Sequence, residues 1–441
     1  MKKLIYLFVA ILMFSSCKKS NYVPKFDEPP EIRVGKQIAL VREALTAAPN
    51  GWIATLPTGA GGGYGFHMSF DDKEVLTSYA DLTDVSSRKE IVSTYRIKQD
   101  AGIDLVFDTY TYLTWLNDPD PSTYGGAAKT GFKSDVDFIF KRISGDSILF
   151  TGKRYRQTLI LVKATAVEKT SYQTGGYKAA IDKLKAFLVD NQNPYIEIGA
   201  LKAGLSLGNT SKMINLTGEK TDGTINSQTG VFAYTLYGAD ILAGGFSYEG
   251  VTFVRLGWKD ANTLALYDQA GKEYLVKNSA LPLLTLDQLW GSKFSGMYSD
   301  YKTINPGTTA PGADILNYFY TNLTVPAVIG IGATFNYGDL TFAWDVNNKK
   351  LTLNAFVSQN GGSSGWSTST IYNYTRDASG VYTFTLSAAP TGGYAINLQS
   401  RLHNFILSNK ITFDYSLSGN SLFAKMSSVT NPSIVMTFEL Y

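Results

Sequence analysis

"EIRVGKQIALVREALTAAPNGW", residues 31–52, and "GGYKAAIDKLKAFLVDNQNPYI", residues 175–196, carry the same pattern twice. In the first, Val34, Ile38, Val41 and Leu45 fall at i, i+4, i+7 and i+11, one stripe of an α-helix that Pro49, Asn50 and Gly51 end. Tyr177, Ile181, Leu184 and Leu188 repeat those offsets 143 residues later. The shift carries past the helices, because Asn50, Trp52 and Ile53 match Asn193, Tyr195 and Ile196. Each helix therefore leads into a strand through an aromatic residue at the same point. The two segments also close alike, with "LILVKATA" at 159–166 and "YLVKNSA" at 274–280. This reads as a degenerate tandem repeat, each copy one helix plus an antiparallel meander.

Between the helices the hydrophobic period changes from 3.6 to 2. "GIDLVFD" places Ile103, Leu105 and Phe107 on one face, "DVDFIF" Val136, Phe138 and Phe140, and "GYGFHMSF" Phe66, Met68 and Phe70. Turn signals at Asp71-Asp72 and Ser144-Gly145-Asp146 separate neighbouring strands closely enough for hairpins. Seven or eight strands fit between Trp52 and Lys163, enough for a curved sheet or small barrel. From about Leu284 the pattern differs. "DLTFAWDVNNKKLTLNAF" sets Leu340, Phe342 and Trp344 against Leu351, Leu353 and Ala355 across an Asn347-Asn348 turn, and "VYTFTLS", "LFAKMS" and "SIVMTFELY" add strands to the C-terminus. The expected fold is mainly β, of the α+β class. Tandem helix-plus-antiparallel-meander domains, barrel-like or curved, span 31–168 and 169–283, and a C-terminal antiparallel β domain spans 284–441.

The N-terminus reads as an address. Lys2 and Lys3 precede an unbroken apolar run from Leu4 to Phe14, a signal peptide over 1–16 that is too short to remain as a spanning helix. Ser15 and Ser16 precede Cys17, an arrangement that resembles the lipobox of bacterial lipoproteins, with Phe14 standing where Leu is commonest. Cys17 is the one cysteine of the chain, so no internal disulfide can form, and its expected role is lipidation. Acyl chains on one residue anchor a protein without a spanning helix. Residues 17–30, polar and bearing Pro24, Pro29 and Pro30, read as a tether reaching roughly 40 Å at about 3 Å per residue. The residues after Cys17 are Lys18-Lys19-Ser20-Asn21, with the nearest acid at Asp27, so both the surface and the periplasmic face of the outer membrane stay open.

Removing Lys2 and Lys3 with the leader brings the formal charge of +3 close to neutrality, which leaves no electrostatic footprint for nucleic acid. Charged residues are only 17% of the chain, against 28 Tyr, 24 Phe and 41 Gly, the balance of a secreted β-rich protein.

Chemistry is sparse. With two histidines, one cysteine and no HExxH, a zinc site of protease or finger type lacks ligands, and no cofactor or metal is expected. His67 falls opposite Phe66, Met68 and Phe70 and is expected to face solvent or a polar rim, while His403 stands alone in "RLHNFIL". "TGAGGGYG" at 58–65 lacks the P-loop lysine, leads into a strand and reads as a loop. Asp135 and Asp137 share one strand face about 7 Å apart, a spacing compatible with an inverting glycosidase pair. The apolar residues take the other face, so both carboxylates are expected in solvent. "NDPDP" at 117–121 offers oxygen ligands but reads as a turn. No catalytic residue is assigned.

Binding is better represented. Tyr110, Tyr112 and Trp115 precede the acidic turn with Asp118 and Asp120, and Trp366 stands in "NGGSSGWSTST". Aromatic faces beside Asn and Asp suit a sugar ring or an extended peptide. Tyr110 and Tyr112 are expected in the core. Trp366, Trp115, Asp118 and Asp120 are the candidate ligand-binding residues, with Trp366 the most suggestive because Gly and Ser around it offer little cover. "DSI" at 146–148 resembles a short O-glycosylation signal and makes Ser147 a candidate acceptor, though it also reads as a hairpin tip.

"LVFDTYTYLTWLNDPDPSTYGG", followed by "KSDVDFIF" and "QTLILVKATA", resembles the domain-of-unknown-function family 4302, lipoproteins of Bacteroidota. "NGW" at 50–52, Gly62-Gly63-Tyr64 and the helix at 177–188 belong to the resemblance, which covers most of 31–280. The chain departs from the family pattern at Thr114, where a His is frequent, and at Ser134–Phe138. The resemblance implies an outer-membrane lipoprotein whose partners are a TonB-dependent transporter, its lid lipoprotein and a metallopeptidase lipoprotein. It implies no activity. The leading expectation is a non-enzymatic accessory binding component of a glycan or peptide uptake system. A structural or assembly partner of the transporter complex is the second reading, and a cryptic hydrolase the third.

Overall fold

The computed structural model describes residues 28–100, 102–419 and 421–441, so Cys17 and the leader lie outside the described residues. The chain divides into two compact units. Among the described residues one comprises 28–198 with Leu205–Leu216 and Ser227–Lys277, the other Gly199–Gly204, Thr217–Asn226 and Asn278–Tyr441.

Three antiparallel sheets share one topological device, in which the first strand lies beside the last. The first sheet holds β1 (Trp52–Pro57), β2 (Gly63–Phe70), β3 (Val75–Ala80), β4 (Ile91–Thr94), β5 (Arg96–Gln99), β6 (Ile103–Val106), β7 (Asp137–Ser144), β8 (Ser147–Gly152) and β9 (Thr158–Lys163). Its order is β4-β3-β2-β1-β9-β8-β7-β6-β5, so "WIATLP" lies between the second strand and the closing strand of "LILVKATA". The two sheet edges, β4 and β5, are separated only by Tyr95, which nearly closes the ring. Tyr95 is buried, and its hydroxyl donates to Asp71 O at 2.7 Å.

The second sheet repeats the plan with β10 (Pro194–Ile198), β11 (Leu201–Gly208), β12 (Met213–Glu219), β13 (Ile225–Thr235), β14 (Gly238–Ile241), β15 (Phe246–Tyr248), β16 (Val251–Trp258), β17 (Leu264–Asp268), β18 (Glu273–Leu275) and β19 (Lys277–Asn278). β10 stands between β11 and β19, and the edges β18 and β19 flank Val276. The tandem helix-plus-meander is thus present in both sheets, down to the closing strands. The third sheet is a closed barrel of β20 (Gly296–Ser299), β21 (Tyr337–Asp345), β22 (Lys350–Ser358), β23 (Trp366–Arg376), β24 (Tyr382–Thr391), β25 (Ile411–Ser418), β26 (Ser421–Ser428) and β27 (Val435–Leu440), with β20 paired to both β21 and β27. Closure removes the edges through which sheets aggregate. The hairpin read from sequence forms as expected, with Leu340 opposite Ala355, Phe342 opposite Leu353 and Trp344 opposite Leu351.

The local logic of "NGW" is now visible. The first helix, Pro30–Thr46, buries Val41 and Leu45, with Val34 and Ile38 partly covered. Trp52 returns its indole N–H to Leu45 O at 2.9 Å, satisfying a carbonyl of the last turn. Gly51 takes φ 75, and a Cβ there would meet Met68 O at 2.6 Å. The second helix, Gly176–Asp190, buries Tyr177, Ile181 and Leu184, while Leu188 is half-covered.

Both faces of β2 are covered, and this corrects one sequence expectation. The glycine-rich stretch leads into β2 at Gly63 as read from the sequence, and Gly63 and Gly65 let that strand approach β13. A Cβ on Gly63 would stand 2.7 Å from Phe232 O, and one on Gly65 2.7 Å from Tyr234 O. His67 does point away from Phe66 and Met68, but it is buried there. Its Nε2–H donates to Asn50 O at 2.9 Å and its ring stacks on Tyr172 at 4.8 Å, within the helix Ala166–Gln173. Burial holds its pKa below the usual histidine value.

At that approach lies a buried ion pair. Asp81, just after β3, and Lys212, just before β12, are both almost fully buried, with Nζ 2.8 Å from Oδ2. The carboxylate also accepts the backbone N–H of Gly65 at 3.1 Å and of Tyr234 at 2.9 Å, so it bonds both sheets. Lys212 Nζ donates to Asp81 O at 3.0 Å and lies 4.3 Å from the Tyr234 ring centre. Desolvation pulls the lysine pKa below its usual range despite Asp81. A lysine at φ 54 is uncommon, and the pair fixes it there.

Removing one partner of such a pair strands the other charge. Lys212→Met is therefore expected to lower unfolding stability by about 3–5 kcal/mol. Urea melts of Lys212→Met and of Lys212→Met with Asp81→Asn check this. The second change should return part of the loss, and a single-variant loss below about 1 kcal/mol would contradict it.

Candidate functional site

Trp366 opens β23, where Thr368, Thr370, Tyr372 and Tyr374 alternate into the barrel. It keeps their phase but stands at the barrel's mouth, opposite the buried Val357, and remains 41% exposed. Tyr394 meets it edge-on, with ring centres 5.4 Å apart at 72°, and is 40% exposed. Buried Phe335 lies beneath both, 5.9 Å from Trp366 and 6.3 Å from Tyr394. The exposed Ile396 lies two residues beyond Tyr394.

The corner is held by its backbone. Gly392 and Gly393 adopt φ 73 and 55, and a Cβ on Gly393 would meet Thr368 Oγ1 at 2.5 Å. Thr368 donates to Gly392 O at 3.0 Å and accepts from Ala395 N at 3.0 Å, which pins the segment carrying Tyr394 to β23. On the other side Asn360 Oδ1 accepts Ser364 N at 3.0 Å, and Gln359 Nε2 donates to Thr334 O at 3.0 Å. A ligand would find the two ring faces already ordered, so little side-chain entropy is lost on binding.

The second predicted group, in the other unit, is assembled too. Trp115 ends a one-turn helix, Tyr112–Trp115, whose N-cap Thr111 accepts Thr114 N at 3.1 Å. Tyr112 is buried as expected. Tyr110 is not, since at 54% exposure it leans on Trp115, 6.1 Å away, and its hydroxyl donates to Asp118 Oδ2 at 3.1 Å. The bond to Asp118 keeps the phenol at the surface. Asp118 accepts Asp120 N at 2.9 Å, and Asp120 caps the next turn through Ser122 N at 2.9 Å. These bonds hold the Asp118 carboxyl below its ordinary pKa. Both acids serve the turn, and Trp115 is half-covered, so this group presents one exposed ring and no open platform.

The carboxylates at 135 and 137 part company. Asp137 opens β7 half-exposed, with Lys153 Nζ 3.8 Å and Lys98 Nζ 4.0 Å away. Asp135 is buried, contrary to the solvated expectation, because the loop after β8 folds over it and donates Arg154 N at 2.6 Å and Tyr155 N at 2.9 Å. It serves as a loop anchor. Ser147 opens β8 half-buried, opposite Ser144. His403 meets Tyr372, its Nδ1 2.8 Å from the phenol oxygen. Among the described residues no group of three or more His, Cys, Asp or Glu is placed to hold a metal ion, and no helix is long and apolar enough to cross a membrane. Sequence reasoning missed Tyr394, Phe335 and Ile396, although the Gly392-Gly393 pair before Tyr394 was the available signal of a tight turn presenting an aromatic.

The family model described as Domain of unknown function (DUF4302) matches residues 24–260, and the chain belongs to that family. No curated protein matches the sequence. Two solved structures show distant similarity. The β subunit from DNA polymerase of Streptococcus pyogenes shares 10% identity, covering 92% of this chain and 98% of its own, with a TM-score of 0.14. Transferrin binding protein B of Neisseria meningitidis shares 9%, covering 86% and 66%, with a TM-score of 0.12.

Proposed function

We propose that this DUF4302 member is a non-enzymatic, lipid-anchored outer-membrane protein that binds a nutrient ligand for a TonB-dependent uptake system. The exposed Trp366–Tyr394 corner carries the reading. Two ring faces at a wide angle, set on a buried phenylalanine at the mouth of a closed barrel, suit a sugar ring stacked on one and edged by the other. An aromatic pair this exposed at 41% and 40% contributes less to the core than its area allows, which favours a role in contact with a ligand. The lipobox-like Cys17 supports the anchor, and the transporter, its lid lipoprotein and a metallopeptidase lipoprotein are the proposed neighbours.

In cells, Cys17→Ser is expected to abolish acyl labelling and release the chain from the outer-membrane fraction. An unlabelled wild-type chain would sink the anchor. For binding, the chain from Lys18 to Tyr441 is expected to retain specific members of a glycan array. Trp366→Ala and Tyr394→Ala should each weaken them about tenfold or more, with the circular-dichroism melt monitoring the fold. Retention that neither change alters would remove the corner from the ligand's path, and silence across the array would remove the sugar.

A further inference from the structure

The outer faces of β1 and β9 form an aliphatic strip, with Ile53 opposite Val162 and Thr55 opposite Ile160. Across from it stand β14, Leu242 and Val254, and between the two walls lies a cleft of about 800 Å³. That is within the roughly 300–1,000 Å³ of small-ligand sites. Every residue lining it belongs to the first unit.

The register orients the cleft. At the Lys163 end the helix Ala166–Gln173 brings in Glu168, which lines the cleft together with Tyr237. At the other end Leu242 lies against Gly63, which pairs with Pro57, and Arg156 stands just before β9. Asp240, three residues after Tyr237 and two before Leu242, therefore falls near the middle. Most charges along the cleft are committed. Glu168 accepts the N–H and hydroxyl of Thr165, Lys163 pairs with Asp146 at 3.2 Å, and Arg255 lies over the Tyr267 ring at 4.2 Å.

Two charges are not committed. Asp240 faces Arg255 across the ladder, yet among the described residues it makes no hydrogen bond or salt bridge, and burial raises its pKa against the pull of Arg255. Arg156, exposed and at φ 62, likewise makes no salt bridge among the described residues. A desolvated carboxylate gains most from a cation that brings its own hydrogen-bond donors. Along its own wall Asp240 lies two residues, about 7 Å, from Leu242, which marks the end of the cleft where Arg156 stands on the facing wall. The termini of an extended di- or tripeptide span a similar distance at about 3.5 Å per residue. The floor between them is aliphatic, which suits apolar side chains better than sugar rings.

We infer that this cleft binds short apolar peptides, with the N-terminal ammonium at Asp240, the side chains on the Ile53–Ile160–Val162 strip and the C-terminal carboxylate at Arg156. The site is separate from the barrel's corner and stands without it. Calorimetric titration of the Lys18–Tyr441 chain with a tripeptide of alanine, leucine and valine tests the assignment. The tripeptide should bind, and N-acetylation should weaken it at least tenfold. Asp240→Asn should match that loss and add little when combined with acetylation, as a shared contact requires. Amidating the C-terminus and Arg156→Gln should behave as a second such pair, while Trp366→Ala leaves the affinity unchanged. Absence of tripeptide binding, or binding indifferent to both acetylation and Asp240→Asn, would overturn the assignment.

Discussion

One carboxylate holds the first unit together. Asp81 accepts from Gly65 of the first sheet, from Tyr234 of the second and from the ammonium of Lys212, all within 3.1 Å and out of solvent. A charge buried at this depth persists only when its acceptor capacity is filled, and here two sheets and a lysine fill it together. The glycines follow from the same constraint. β2 must come close enough for its backbone and that of β13 to share one side chain, and any Cβ at Gly63 or Gly65 would push them apart. Tyr177 adds to the junction by donating to Tyr234 O at 2.9 Å. Deep burial raises the pKa of Tyr177 well above the ordinary tyrosine range, with Asp81 adding to the shift, so its phenol stays a donor.

Ring closure is the second organising rule. A meander whose first strand pairs with its last leaves few free edges, and all three sheets use it. The first two nearly close, their edge strands separated in sequence by one buried residue, Tyr95 or Val276, whereas the barrel closes fully. In the first unit the strips of β1 and β9 left outside the ring are available to form one wall of a cleft. In the barrel the interior is filled with aromatics, including Trp290 stacked on Trp344 at 5.0 Å, and the exposed Trp366 and Tyr394 stand at the mouth.

Much of this was legible because it rests on period and spacing. The 143-residue shift located both helices and both entry strands, the likeness of "LILVKATA" and "YLVKNSA" located the closing strands, and the period of two placed the β21–β22 hairpin in register. The errors share one cause. Alternation tells which residues oppose one another, but not whether the second face is covered. His67 was assigned to the correct face and the wrong environment, because Tyr172 comes from a helix more than 100 residues away. Asp135 reads as solvated from sequence because the loop that folds over it has no periodic signal. Trp366 was legible as an exposed aromatic among small residues, but its partner Tyr394 was not, since a turn 27 residues later brings it there. Asp240 gave no signal at all, as its significance lies in a cleft wall built from two sheets.

The central claim is that the two repeat-derived sheets of the first unit are one cooperative body joined at Asp81. Native-state hydrogen exchange at Gly65 and Tyr234, whose amides both bond that carboxylate, tests it most directly. The account predicts that both exchange through the same opening, with equal free energies and equal dependence on denaturant, near the most protected amides of either sheet. Exchange of Tyr234 and its β13 neighbours through a separate, lower-energy opening, with Gly65 still protected, would contradict it.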